Sequence, residues 1–394
     1  MTANDPERLI RDATAAIEAR LIEIRRDIHA HPELGFEEVR TAGIVAGELA
    51  RLGISHTTGV GQTGVVGLIE GGRPGPTLLI RADMDALPMP ELTGLPWAST
   101  VPGKMHACGH DIHTTTLIGV AEVLKGLAPQ LAGRVKLMFQ PAEEGLGGAS
   151  AMIRDGVLDD PKVDVALALH NQPGVPVGQF AYTRGAALAA SDRFDIVVSG
   201  NGGHAAHPHV SIDPIVAAAS LVTQLQTVVS REVRPLYPAV VTVGMMAGGS
   251  TYNIIPDTVA IKGTVRTLHK ESRDTAEAAI RRLCAGLEAS MRARAVCDYR
   301  RGVPPMVNDD TVIDRTMAAV RRQFGDASVI ERDPTMGGED FAYVAEKVPS
   351  FQLMVGSGAP GRSDKLHNSN YQPDERCIGL GVQALSRAAM DMLS

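Results

Sequence analysis

From Pro6 to Arg26 apolar residues return at helical spacing (Leu9, Ala13, Ala16, Ile17, Leu21, Ile24) with charges between them, which predicts an amphipathic helix. A second helix is predicted from Arg40 to Leu52, closed by Gly53, a residue suited to a helix C-terminus. The rhythm then changes. Short runs rich in Val, Leu and Ile follow at Gly64 to Ile69, Thr77 to Arg81, Val135 to Gln140 and Val163 to His170, separated by helical stretches such as Thr114 to Leu127. Strand and helix in alternation predict an α/β fold with a mixed, largely parallel sheet flanked by helices. Sites in such sheets collect at the carboxyl ends of strands. Asp83, Asp85, Glu143, Glu144 and His170 each fall at or just after such an end.

The middle of the chain has another pattern. Asp192 to Ser199 alternates like a half-buried strand, and Ile212 to Val229 reads as a helix. Ala239 to Met246 and Thr258 to Thr267 read as strands, Thr275 to Arg294 as a helix, and Ala295 to Arg301 as a strand. The order β-α-β-β-α-β is that of a ferredoxin-like α+β unit. Residues 188–303 are therefore expected to form an inserted lid or dimerisation domain, with 1–187 and 304–394 as the two parts of the catalytic domain. After Pro304-Pro305 helix, strand and helix return, at Asp310 to Phe324, Ser350 to Val355 and Cys377 to Leu393.

A chain of 394 residues exceeds one comfortable core, in keeping with two domains. The net charge of −7, with one Trp, six Tyr and seven Phe and no basic stripe, argues against nucleic acid as a partner. No apolar run approaches the ~20 residues that span a bilayer. The stretch from Met1 to Arg8 carries acidic residues and no apolar segment follows, unlike a secretory leader. Cys108, Cys284, Cys297 and Cys377 are scattered without a CxxC pair, so the expectation is a reducing cytoplasm.

The chemistry gathers around His106-Ala107-Cys108-Gly109-His110-Asp111, with Glu143-Glu144, His170 and His367 downstream. Thiolate and imidazole donors suit zinc and neighbouring transition metals rather than magnesium or calcium. In an extended loop, side chains two apart point the same way, so Cys108 and His110 could grip one metal site together. Adjacent glutamates diverge, so one can bind metal while the other faces water. A dinuclear site needs about five protein ligands and a base. Cys108, His110, Glu144, His170 and His367 supply that number and leave Glu143 over.

Several segments carry a resemblance. They are His29-Ala30-His31-Pro32-Glu33-Leu34-Gly35, Arg81-Ala82-Asp83-Met84-Asp85-Ala86-Leu87-Pro88, Met105-His106-Ala107-Cys108-Gly109-His110-Asp111 and Phe139-Gln140-Pro141-Ala142-Glu143-Glu144. Further on come Gly203-His204-Ala205-Ala206-His207-Pro208, Tyr252-Asn253-Ile254-Ile255-Pro256-Asp257, Gly337-Gly338-Glu339-Asp340-Phe341 and His367-Asn368. In these the chain resembles the aminoacylase and glutamate-carboxypeptidase-like dinuclear metallohydrolases, in the branch of hippurate hydrolases and auxin-conjugate amidohydrolases. The resemblance implies two divalent ions per subunit, manganese or zinc, with cobalt or nickel as alternatives. It implies that Cys108 bridges them, that Glu144 and His367 complete one shell, and that His110 and His170 complete the other. Glu143 becomes the general base, and His204 an oxyanion donor, often across a dimer interface. Asp83 and Asp85 are expected to support the histidines rather than bind metal. Asn253 and Arg266 are candidates for holding the substrate carboxylate, with Gly337 and Gly338 lining its surroundings.

Plainer readings stand beside these. A free cysteine is most often a small buried hydrophobe, a strand-end histidine a satisfied structural one, and a strand arginine simply exposed. His29 and His31 read as structural near a helix end, His207 as a turn residue, and His106 and His113 have no assigned role. The expected function is a metal-dependent amidohydrolase cleaving N-acyl or N-aroyl amino acids such as hippurate. Deacetylation of an N-acetyl-diaminopimelate type of substrate or hydrolysis of aminobenzoyl-glutamate are alternatives within the class. Outside it stand a non-catalytic binding protein and a thiol amidase using Cys108 with His110. A homodimer, or a dimer of dimers, through the inserted domain is the expected assembly.

Overall fold

A computed structural model describes residues 5–394; Met1 to Asn4, on which the reading of the leader partly fell, lie outside the described residues. The chain divides into two compact units, one of residues 1–185, 307–333 and 343–394, the other of residues 186–306 and 334–342. The short stretch 334–342, which holds Gly337 and Gly338, belongs to the second unit, although the sequence pattern groups it with the C-terminal part of the first.

The first unit is built on an eight-stranded sheet. Its order is Ser55–Val60, Gly64–Glu70, Ala132–Gln140, Arg73–Asp83, Val165–Pro176, Ser350–Gly358, Phe180–Tyr182 and Val329–Glu331. The four central strands, Ala132–Gln140 to Ser350–Gly358, run parallel. Parallel strands covered on both faces lose the alternation of polar and apolar positions, and Thr77 to Asp83 is buried without interruption. The helices Pro6–Ala30, Val39–Arg51, His110–Leu127, Asp310–Phe324 and Arg376–Met392 flank the sheet and share one apolar core with it. Ile80, Leu117, Leu167, Phe351 and Val382 are central members of that core, all at most 1% exposed.

Two expectations are corrected here. The strand predicted to end at His170 continues to Pro176, because its pairing with Ser350–Gly358 outlasts its pairing with Arg73–Asp83. The last residue paired to the latter strand is Ala168, opposite Arg81, so His170 lies level with that neighbour's carboxyl end at Asp83. Cys108 and His110 do not sit together in an extended loop. His110 opens a helix, and Gly109 between them is left-handed at φ 92°.

The second unit has a four-stranded antiparallel sheet, ordered Ala239–Ala247, Thr258–Thr267, Ala190–Ser199 and Arg294–Arg300. With the helices Pro214–Thr227 and Lys270–Met291 this is the β-α-β-β-α-β order, and its strands sit in the sequence 2-3-1-4. Both helices bury one face against Phe194, Ile196, Val259 and Ile261. Ile215, Val216 and Val229 on the first helix and its extension stay exposed.

Candidate metal centre

The carboxyl end of Arg73–Asp83 delivers Asp83 and, two residues on, Asp85; the end of Ala132–Gln140 delivers the turn carrying Glu143 and Glu144. Asp85 ties these parts together. Its two carboxylate oxygens accept the backbone N–H groups of Glu143 and Glu144, both at 3.0 Å, and Oδ1 also accepts Nδ1–H of His110 at 3.2 Å. Ala142, at φ 53°, turns the chain ahead of the two glutamates, and Glu38 accepts its N–H at 2.8 Å. A left-handed non-glycine residue is costly and persists where its surroundings hold it.

His367 arrives from far along the chain, also left-handed at φ 57°. Its N–H bonds the carbonyl of Ala107 at 2.9 Å, and beside it a small apolar cluster of Met105, Ala107 and Tyr371 packs with Leu366. Apolar burial thus fastens the His367 loop to the Cys108 loop.

Among the groups of donor atoms that result, three have their members within 4.8 Å of one another around Cys108 and Glu144: Cys108, His110 and His170; Cys108, Glu144 and His367; and His110, Glu143 and Glu144. Cys108 belongs to the first two. Its Sγ lies 3.5 Å from Nε2 of His170, and Nε2 of His367 lies 3.1 Å from Glu144. His110 gives its Nδ1 proton to Asp85, and His170 gives its own to the carbonyl of Asn171 at 2.7 Å. Each ring therefore turns its Nε2 toward the centre. The Nε2 of His110 and the Oε1 of Glu144 are buried and neither makes a well-aligned hydrogen bond, the His367 contact to Oε1 being a close approach only. Buried polar atoms without partners are rare, and a soft, mixed thiolate, imidazole and carboxylate set is what a transition-metal pair takes.

The electrostatics agree with that fit. Burial holds the Cys108 thiol well above its usual range, and the nearby Glu144 and Glu143 carboxylates add to this. Burial alone would lower His110, but the charges of Asp83 and Cys108 and the hydrogen bond to Asp85 carry it well above an ordinary imidazole. Burial, reinforced by His113, holds His170 well below, which keeps it neutral. The Asp83 charge that favours a proton on His110 would equally attract a divalent cation.

The structure also gives His113 a place, which sequence reasoning missed, along with Asn171. His113 donates Nδ1–H to Asp83 at 2.6 Å. Its Nε2 accepts the backbone N–H of Asn171 at 2.9 Å and its side-chain amide at 3.0 Å. That amide also donates to the Cys108 carbonyl at 2.7 Å, and Tyr371 donates its hydroxyl to the amide oxygen. Asn171 is thus a clamp holding the Cys108 loop beside His170. A Cβ on Gly109 would stand 2.5 Å from the Asn171 side chain, so both its φ and this close approach demand glycine. One signal was legible: His113 follows His110 by three residues, on the same face of a helix. His29, read as structural, sits in a buried network with Asp111 at 2.8 Å and Glu91 at 3.2 Å.

In the second unit, a two-residue ribbon pairs Gly203–His204 with Ile254–Ile255, and Ala205 N–H bonds the Asn253 carbonyl at 3.1 Å, which brings His204 and Asn253 side by side. His204 Nδ1 accepts the Ala206 N–H at 3.0 Å, leaving the proton on an exposed Nε2. His207 closes a turn, its N–H on the His204 carbonyl. Arg266 meets Gly338, where a Cβ would come within 3.3 Å of the guanidinium. Burial and the neighbouring Arg193 lower the Arg266 pKa.

The model of Peptidase family M20/M25/M40 matches residues 79–391. The chain belongs to this family. Among its relatives, an N-acetyl-L-cysteine deacetylase of Bacillus subtilis (strain 168) is 42% identical over 365 residues, 92% of this chain and 86% of that protein. The IAA-amino acid hydrolase ILR1-like 2 of Arabidopsis thaliana is 41% identical over 384 residues, 95% of this chain and 85% of its own. The crystal structure of the Bacillus subtilis YXEP protein, a dinuclear metal binding peptidase of the M20 family, matches with a TM-score of 0.85 at 36% identity, covering 96% of this chain and 99% of that one. This M20 chain is accordingly a metal-dependent amidohydrolase. Among the described residues no helix is long and apolar enough to cross a membrane.

Proposed function

We propose that this M20 enzyme cleaves the amide bond of N-acyl and N-aroyl amino acids, hippurate-like compounds among them, releasing a carboxylic acid and a free amino acid. The observation that carries the reading is the pair of three-donor groups sharing Cys108, with Glu143 in a third group beside them. Cys108 would be held in common by two ions, Glu144 and His367 serving one, His110 and His170 the other. A pair of divalent ions, manganese or zinc, supplies Lewis acidity that acidifies a water and polarises the scissile carbonyl.

The protein's own groups do the rest. Glu143 takes a proton from the attacking water on a carboxylate oxygen and passes it to the nitrogen of the departing amine. Asp85 orients His110 so that its Nε2 faces the centre, and Asp83 orients His113, which holds Asn171. His204 donates Nε2–H to the oxygen on which negative charge develops. Asn253 and Arg266 hold the substrate carboxylate, Arg266 by its fork, with the small Gly337 and Gly338 leaving room beside it. Residues 188–303 act as the lid and dimerisation domain, the exposed Ile215, Val216 and Val229 supplying apolar area for a homodimer.

The test is a panel of N-acetyl-cysteine, hippurate, indole-acyl amino acids, N-acetyl-diaminopimelate and aminobenzoyl-glutamate, assayed for amino-group release with metal-loaded and chelated protein. Release from at least one N-acyl amino acid, lost on chelation and restored by manganese or zinc, is expected. No release from any member would overturn the substrate class, and turnover that survives chelation would favour a Cys108 thiol amidase.

A further inference from the structure

The open face of the second unit's sheet carries a cluster of cations. Along Ala190–Ser199 the residues Asp192, Phe194, Ile196 and Val198 are buried toward the helices, so Ser191, Arg193, Asp195 and Val197 lie on the other face. On one side the register sets Ser191 opposite Arg266, Arg193 opposite Thr264 and Asp195 opposite Lys262. On the other it sets Arg193 opposite Arg300 and Asp195 opposite Asp298. Arg193 and Arg266 are thus diagonal neighbours on one face, with Cβ atoms about 7–8 Å apart, within reach of side chains this long. Beside Arg266, Gly338 carries no side chain, and a Cβ there would stand 3.3 Å from the guanidinium and 3.5 Å from Ser191.

Like charges set side by side on a sheet are destabilising, and the carboxylates around these two arginines are already engaged. Asp195 lies 3.5 Å from Lys262 Nζ, and Asp298 takes Arg300. Asp192, on the helix side, accepts from Arg273 at 2.6 Å, from the Tyr299 hydroxyl at 2.9 Å and from the Gly302 N–H at 3.0 Å. Among the described residues neither Arg193 nor Arg266 has an ion-pair partner. The two repel each other: the charge of Arg193 adds to burial in lowering the pKa of Arg266.

We propose that Arg193 and Arg266 form a two-cation site for the amino-acid half of the substrate, so that the enzyme prefers N-acyl derivatives of acidic amino acids. This rests on the reading that Arg266 takes the α-carboxylate. Arg193 then takes the side-chain carboxylate of an aspartate or glutamate, and a doubly anionic ligand relieves the repulsion between the two guanidiniums. Guanidinium–carboxylate bonds are charge-assisted, roughly twice as strong as neutral ones, so a second such bond is enough to rank substrates. A glutamine or asparagine side chain has nearly the same shape and leaves Arg193 without a counter-charge. Arg300, across from Arg193, does not compete, because Asp298 holds it.

The test uses the full-length, metal-loaded enzyme with the N-acetyl and N-benzoyl derivatives of glutamate and of glutamine, measuring kcat and KM for each. The glutamate derivatives should show a kcat/KM roughly 10–100-fold above their glutamine counterparts, carried by KM, and the preference should shrink as salt is raised. In Arg193→Gln the ratio should fall to near one, and in Arg193→Lys, which keeps the charge, part of it should return. Because the readout is a ratio within one protein, a variant that folds only in part still reports it. Wild-type enzyme that cleaves the glutamine derivatives as well as the glutamate ones, or a preference that survives Arg193→Gln, would overturn the acidic preference and leave the hydrolysis of N-acyl amino acids standing. Failure to cleave any N-acyl amino acid would overturn that broader reading and the acidic preference with it.

Discussion

The two places where this chain gathers its candidate functional side chains are built in opposite ways. At the carboxyl edge of the parallel sheet, Asp83, Asp85, His110, His113 and Asn171 are all at most 2% exposed, and nearly every atom that points away from the centre has a partner. In the second unit His204 and Asn253 are exposed and Arg266 is half-buried. Buried polar networks are stable only when fully satisfied, and then they fix geometry. The first region is thus preorganised for ions whose coordination tolerates little error. The second keeps its donors open to water, as suits groups that meet a substrate or a partner subunit and pay their ordering cost only on binding.

The sharpest way to break that contrast is Glu143→Ala, which removes the acid–base group. Turnover should fall by about 10²–10⁴-fold while bound metal stays at the wild-type level. Near-wild-type rates would remove Glu143 from the chemistry; loss of metal would make it a ligand. Next comes the frame itself. Asn171→Ala releases the Cys108 loop from His113 and Tyr371, and metal affinity should weaken by about 10–100-fold, as for other partners behind a ligand. Unchanged affinity by competitive chelation would mean the loop holds its shape without the clamp.

The open region should respond differently. Arg266→Lys loses the bidentate fork, and KM for N-acyl amino acids should rise by roughly tenfold with kcat nearly kept. A fall in kcat with KM unmoved would place Arg266 at the reacting carbonyl instead. If His204 serves the partner's centre, mixing inactive His204→Ala with inactive Glu143→Ala should restore activity in the heterodimer. A fully active monomer in sedimentation would end that reading.

The smallest effect concerns pH. Burial lowers His106 to about 4, against about 6.5 for a free imidazole. Between those values the unfolded chain binds a proton that the folded one refuses, so stability is fully present above pH ~6.5 and falls as pH drops toward 4. The slope from this one group is on the order of 1.4 kcal/mol per pH unit. In His106→Gln the pH dependence of chemical denaturation over that window should flatten by this amount, and an unchanged slope would count against a buried neutral imidazole.

Much of this was legible before any coordinates. The central strands announced themselves because strands buried on both faces read as unbroken apolar runs, and the insertion because its alternation differs. The five candidate ligands stood out by residue type. What could not be read was anything set by contact between distant segments. His113 looked idle because Asn171, 58 residues away, is what it holds. The strand through His170 looked shorter because its longest pairing is with Ser350–Gly358.

The central claim is that one thiolate is shared by two metal positions. Metal content of purified Cys108→Ser, measured beside wild type and Cys377→Ser by inductively coupled plasma mass spectrometry, tests it most directly. The account predicts about two ions per chain in wild type and Cys377→Ser and a loss at both positions in Cys108→Ser, since the two donor groups assigned to the ions both contain Cys108. Undiminished metal in Cys108→Ser, or the loss of one ion with the other held as in wild type, would contradict it.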